Sequence, residues 1–346
     1  MLTFTFPKLR PFVLLLVAAL ALLSACGGKG REEGDSPSAT AGIRMKVAHT
    51  LTPETHCHKG LIRFKELVEA KAPGRIDVQL YHSGQLGDSA ELLERLKSNS
   101  VQMCLTANAP LSNFESKLKL VDLPFLFPDA RTAERLLDGP IGEEMVKDLP
   151  QKAGLRVLAF WVSGFRSIYS TKRIYRQPAD LSGTNIRVME TPVHIAVFNA
   201  LGANARPMPF SELYTALQQG NVDAAENDAD AFYSGKFYEV CKYFTLTNHV
   251  YTAIPLSISE RFWQSLPDDV KVVITEAARE ARDYERALAA ELNQAALDKL
   301  RAAGVEVAAV DPQPFAEIAR KVYPRFENEI GADLLARALA EVQSAP

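Results

Sequence analysis

Cysteine and tryptophan are scarce in this chain, at four and two of 346 residues, and neither sign of charge dominates. So few thiols exclude a disulfide-built scaffold, and no disulfide is expected. A formal net charge of −3 excludes the strongly basic surface that nucleic-acid binding requires. There is no Gly-x-Ser-x-Gly elbow and no Gly-x-x-x-x-Gly-Lys phosphate loop. His82, His194 and His249 stand in scattered contexts without a companion nucleophile, so no enzyme activity and no cofactor is expected. No repeat at solenoid periods is present. What the chain does have is an apolar content of 47%, enough for a packed core, and a length that corresponds to about two domains at ~150 residues each.

The one long apolar run, Phe12 to Leu23, falls short of the ~20 residues that span a bilayer. Lys8 and Arg10 precede it and small residues follow, the order of a secretory signal. Leu23-Ser24-Ala25-Cys26 resembles a bacterial lipobox, which implies that residues 1–25 are removed and that Cys26 is lipidated. Residues 26–44, rich in Gly, Ser and charge, read as a flexible tether. Loss of Lys8 and Arg10 takes the net charge from −3 to −5. Cys57, Cys104 and Cys241 then remain, an odd number. Cys104, in VQMCLTA, is expected in a buried strand, and Cys57 in a loop or helix start open to solvent.

Hydrophobic spacing organises the rest. Met45–Ala48 reads as a strand, and residues 58–72 as a helix with Leu61, Phe64 and Val68 on its core face. Ile76, Val78 and Leu80 alternate as a strand. Asp88 is a helix cap for Ser89–Lys97, and residues 101–107 form the next strand. This β-α-β alternation predicts an α/β sheet covered by helices. Residues 155–162 read as an apolar strand, Ser163-Gly164-Phe165-Arg166 as a turn opening a second domain, and Tyr251–Ser259 as the strand that returns. Pro267 and Asp268 open a long helix to about Ala303 that can lie along both domains. Tyr233–Phe244 reads as an amphipathic helix and strand.

The segment from Asp180 to Asn227 is the most informative. DLSGTNIRV, PMPFSELYTALQQGNVD and AEN, with SGFR upstream and KFYEVCKYFTLTNH downstream, closely resemble the solute receptors of TRAP transporters, the DctP-type family. The resemblance covers Met45 to Ile330. It implies a type II periplasmic-binding-protein fold: two α/β domains joined by hinge strands and a long C-terminal helix. On that reading residues 45–164 with 253–292 form domain I, and 165–252 with 293–346 form domain II.

The resemblance also implies a carboxylate clamp. Arg187, which ends a strand, matches the arginine that pairs bidentately with the ligand. Asn227, ending the VDAAEN strand, and Arg166 match further carboxylate contacts. A guanidinium fork fits the two oxygens of a carboxylate. Phe210 matches an aromatic that packs on the ligand's carbon skeleton. Glu190 is expected to face a ligand hydroxyl, to orient an arginine, or to cap the next helix. His49, Thr50 and Asn108 follow strand ends, where open α/β sheets bind ligands. The family commonly has proline after Glu-Asn; here Asp228 follows, an acid placed to accept from a ligand hydroxyl or to pair with an arginine. His56-Cys57-His58 is set aside as a metal site, since side chains two apart diverge on a helix.

The implied function is that of a lipid-anchored periplasmic receptor. It captures a sugar acid, C4-dicarboxylate or related organic acid and hands it to the small and large TRAP membrane subunits of an ion-gradient-driven permease. The polar groups incline the ligand toward a hydroxylated acid. An ABC-type receptor, a ligand-sensing protein and, more remotely, a periplasmic enzyme are the alternatives.

Overall fold

The computed structural model of the protein describes residues 42–344. Nine strands form one mixed sheet in the order β2-β1-β3-β8-β4-β7-β5-β6, with β9 also paired to β8. The strands are β1 Ile43–His49, β2 Ile76–Tyr81, β3 Met103–Leu105, β4 Leu155–Ser170, β5 Asn185–Val188, β6 Asn204–Pro207, β7 Ala224–Asn227, β8 Tyr243–Ser259 and β9 Glu306–Ala309. Five helices matter below: α1 His56–Lys71, α2 Ser89–Lys97, α3 Pro192–Ala200, α4 Ala229–Ser234 and α5 Asp268–Ala302.

β4 and β8 are long antiparallel strands, and each serves both halves of the sheet. The last residues of β8 pair with β3, Leu105 opposite Leu256. Its first residues pair with β9, Tyr243 opposite Glu306. The end of β4 pairs with β7, Ser167 opposite Asn227. One half therefore carries β2-β1-β3 and the other β7-β5-β6. The β4–β8 register slips at three places, between Val157 and Ala159, Val162 and Gly164, and Arg166 and Ile168. Bulges like these bend strands and re-aim side chains. At Gly164 φ is +119°, a conformation open only to glycine.

The expected strand at residues 155–162, followed by a turn at Ser163–Arg166, is corrected by this geometry. The chain runs straight through as one strand, because cross-strand pairing to β8 overrides the local turn signal of Ser-Gly. Tyr251–Ser259 likewise begins earlier, at Tyr243. The helix expected at residue 58 begins at His56, where the Thr55 side chain accepts from the backbone N–H of His58.

α5 has 35 residues, about 52 Å at ~1.5 Å per residue. It packs on α1 and β4 in one half and on α4 and β9 in the other. Its alanines, Ala277, Ala278 and Ala281, share a buried cluster with Leu61, Phe64 and Val68 of α1. Gly60 makes that close approach possible, since a Cβ there would sit 2.7 Å from the Trp161 ring and 2.9 Å from Glu285. Among the described residues no helix is long and apolar enough to cross a membrane. Cys57, Cys104 and Cys241 are all buried and free. Cys57 was expected to be open to solvent; it lies instead in the first turn of α1, turned onto the core.

Candidate functional site

A cavity opens between the two halves at the carboxyl ends of β1, β3, β5 and β7, the position at which open α/β sheets hold ligands. The structure brings Thr50, Arg166, Arg187, Glu190, Phe210 and Asn227 together on its wall. Leu51, Leu105, Met189, Pro209 and Ile254 supply apolar surface, and Ser89, Ser163 and Thr252 supply hydroxyls.

Arg187 alternates with the buried Ile186 and Val188 in β5, so its side chain leaves the opposite face of the strand. It is 3% exposed. Its Nε donates to the carbonyl of Met208 at 2.9 Å. Among the described residues no carboxylate reaches its terminal nitrogens. Burial lowers its pKa. The guanidinium lies 6.0 Å from the Phe210 ring centroid. Phe210 itself is braced edge-on by Phe237 at 5.5 Å.

Arg166 has a different environment. It projects from β4 at a register slip rather than from a turn. Its Nη2 donates to Glu226 Oε1 at 2.9 Å, and Nε donates to the other carboxylate oxygen. Nη1 donates to Asn227 Oδ1 at 2.7 Å. That oxygen also accepts the backbone N–H of Asp228 at 3.0 Å. Both acceptor positions of the Asn227 amide are thus occupied, which leaves its NH2 as the donor on the cavity side.

Glu226, not singled out from the sequence, is the hub behind this wall. It is fully buried and meets Arg166, His249 at 3.3 Å and His194 at 3.7 Å. Burial opposes its charge, but Arg166 and the two histidines hold it well below the usual carboxylate range. The available signal was an acid at the end of the apolar strand VDAAEN. Thr252 was also missed: a buried hydroxyl of β8 on the cavity wall, with no partner for its Oγ1.

Two of the expected contacts from the first half do not line the cavity. His49 Nε2 meets His58 Nδ1 at 2.9 Å, and burial with the neighbouring His58 and His82 pushes its pKa down to about 3. Asn108 donates to the carbonyl of Leu118 at 2.8 Å. His49 is the last residue of β1 and Asn108 follows β3, but each side chain turns inward. Asp228 is also absent from the wall. It caps α4 by accepting from Ala231 N–H at 2.9 Å and takes the Ser163 hydroxyl proton donor on its other oxygen. Asp88 is the helix cap expected, in a reciprocal capping box with Glu91. Cys26 lies outside the described residues.

His56 and His58 diverge as residues two apart on a helix do. His56 Nδ1 meets Glu285 Oε1 at 2.6 Å and its Nε2 lies 3.8 Å from Asp230. His56, Cys57 and Glu285 stand close enough to share a metal ion. With a carboxylate at each ring nitrogen, however, the arrangement matches a doubly paired imidazolium.

Two α/β halves joined by long shared strands, with a cavity between them that carries charged groups on a largely apolar wall, define a two-lobed solute-binding receptor. The chain belongs to the bacterial extracellular solute-binding proteins, family 7, the DctP family, whose model matches residues 47–329; it is a TRAP-type periplasmic solute-binding protein. It is 33% identical over 309 residues, 88% of this chain and 92% of the relative, to the C4-dicarboxylate-binding periplasmic protein DctP of Rhodobacter capsulatus. It superposes with a TM-score of 0.85 on the sugar acid binding protein DctPAm of Advenella mimigardefordensis, solved with galactonate, at 33% identity over 88% of this chain and 99% of that one. A TRAP periplasmic solute binding protein from Polaromonas, bound to D-erythronate, gives 0.84 at 33% identity, covering 86% and 98%.

Proposed function

We propose that this protein captures a small organic acid by its carboxylate, with Arg187 as the principal grip. Asn227 offers its NH2 beside it, and Arg166, its charge paired with Glu226, contributes a hydrogen-bond donor through Nη1. The observation that carries this reading is a guanidinium 3% exposed, aimed into a cavity, with no acid for its terminal nitrogens among the described residues. A buried charge is costly unless something pairs with it. A charged hydrogen bond contributes ~1.5–3 kcal/mol, so a bidentate grip supplies a large part of the ~8 kcal/mol behind micromolar affinity. The ligands named for the three similar proteins, a C4-dicarboxylate, galactonate and D-erythronate, share a carboxylate and differ in the rest. That common group supports a clamp on the carboxylate end.

On this reading residues 45–164 with 253–292 form one lobe and 165–252 with 293–346 the other, and the ligand favours the shut state by touching both. The receptor acts in the periplasm, tethered through a lipid on Cys26, and passes its cargo to the small and large subunits of an ion-gradient-driven permease. It binds without turnover, in keeping with the solute-binding proteins of its family. The test is a thermal-shift screen of organic acids with the wild type and Arg187→Ala. A ligand at ~100-fold above its Kd stabilises by ~2.7 kcal/mol. The variant should lose every shift while keeping the unliganded circular dichroism; retained shifts would defeat the clamp.

A further inference from the structure

We propose that Glu190 makes this receptor select hydroxylated monocarboxylic acids and reject dicarboxylates, an inference that rests on the clamp described above. Three ionisable side chains line the cavity: Arg166, Arg187 and Glu190. Glu226 already neutralises Arg166. Among the described residues Arg187 is therefore the one cation left on the wall for a ligand, and it can satisfy one carboxylate. Among them no lysine and no third arginine lines the cavity to receive a second.

The remaining charge has the opposite sign. Among the described residues the Glu190 carboxylate has no hydrogen-bonded or ionic partner, although its backbone carbonyl accepts from Asn113 at 2.9 Å. Its acidity is weakened first by burial and then by the negative charge of Asp88, with Glu212 adding to it and Arg187 opposing. A second ligand carboxylate would enter this negative field without a counter-charge. A hydroxyl entering the same place donates to Glu190 and finds a free acceptor. The unpartnered Thr252 Oγ1, 1% exposed, is an independent sign of the same chemistry. It and the hydroxyls of Thr50 and Ser89 can exchange hydrogen bonds with a polyol chain and cannot neutralise an anion.

Calorimetric titration of the full chain with D-erythronate, D-galactonate, succinate and monomethyl succinate tests this. At least one of the two hydroxy acids should bind ~10-fold or more tightly than succinate, and monomethyl succinate should exceed succinate, because esterification removes only the second charge. Glu190→Gln should raise succinate affinity ~10-fold and weaken binding of the hydroxy acids, which lose a charged acceptor for a hydroxyl. Succinate binding the wild type as tightly as both hydroxy acids, or an ester no better than the diacid, overturns the selection. An unchanged ratio in a folded Glu190→Gln does the same. These ligand comparisons stand even if the variant fails to fold. Failure of all four acids to bind, or their undiminished binding to Arg187→Ala, strikes the clamp instead.

Discussion

The cavity and the seam between α1 and α5 each bury a cluster of charged side chains, and the two clusters end in opposite states. In the seam, His56 has Glu285 at one ring nitrogen and Asp230 at the other. The second oxygen of Glu285 accepts the Val162 N–H at 3.2 Å. Nothing is left over. In the cavity, Arg166 is closed off by Glu226 and Asn227, while Arg187 on the far side of β7 has a single backbone acceptor. A completed buried pair roughly offsets its own desolvation, whereas a buried charge left unpaired is costly. The seam is thus complete without a ligand, and the cavity leaves groups, Arg187 first among them, that a ligand can fill. The two are linked in sequence: Asn227 forms the cavity wall, Asp228 caps α4, and Asp230 in the first turn of α4 faces His56.

The largest expected effect sharpens the contrast directly. Arg187→Ala should cost ligand binding ~3–6 kcal/mol, two charged bonds at ~1.5–3 kcal/mol each, a loss of more than 100-fold. The same change should leave the melting temperature of the unliganded protein unchanged or higher, because it removes a buried charge without a counter-ion. A drop comparable to that of a core mutation would show that Arg187 is structural.

Removing one member of a completed pair should do the reverse. Glu226→Gln leaves Arg166 buried without its counter-charge, and Glu285→Gln leaves His56 with only Asp230, at 3.8 Å. Losses of ~3–5 kcal/mol in unfolding free energy are expected for each, measured by denaturant titration without ligand. Near-neutral results would mean that water or a rearranged neighbour replaces the carboxylate.

How far the sequence reaches follows the same division. Local chemistry was legible: the core face of α1, the whole of α2 with its Asp88 cap, and the placement of Arg187 one residue before the end of β5 and of Asn227 at the end of β7. These depend on spacings of a few residues. Continuity of β4 was not legible, because Ser163-Gly164 carries a turn signal that only pairing with a strand some 90 residues away overrides. Glu226 as partner of Arg166, and Glu285 as partner of His56, are contacts across 60 and 229 residues. His49 and Asn108 show the complementary limit: a strand end can be read from sequence, but which way its side chain turns cannot.

pH separates the two clusters. Burial opposes charge on His56, but Cys57 and Glu285 more than offset it, so its pKa lies well above the usual imidazole value. A raised folded-state pKa gives stability that is complete below ~6.5 and is lost as pH rises through the folded value. For Glu226 the pKa is depressed, so its contribution is complete above ~4.3 and is lost as pH falls through its lower folded value. The seam should therefore weaken on the alkaline side and the cavity wall on the acid side. Melting temperatures recorded against pH check this. His56→Gln should flatten the alkaline limb and spare the acid one, and loss of both limbs together would merge what the structure separates.

The smallest effect concerns the second deficit in the cavity. Thr252 Oγ1 is buried without a partner, which costs folding unless a ligand completes it. Thr252→Val keeps the shape and removes the hydroxyl. Unliganded stability should rise slightly or stay level, since no hydrogen bond is broken. Affinity for a hydroxylated acid should fall by ~0.5–1.5 kcal/mol, the net worth of one neutral hydrogen bond, or up to about tenfold. Succinate, which has no hydroxyl to offer there, should be unaffected. Equal losses for both ligands would place Thr252 in packing alone. A loss of stability without ligand would reveal an internal partner for the hydroxyl and remove it from the cavity's incomplete groups.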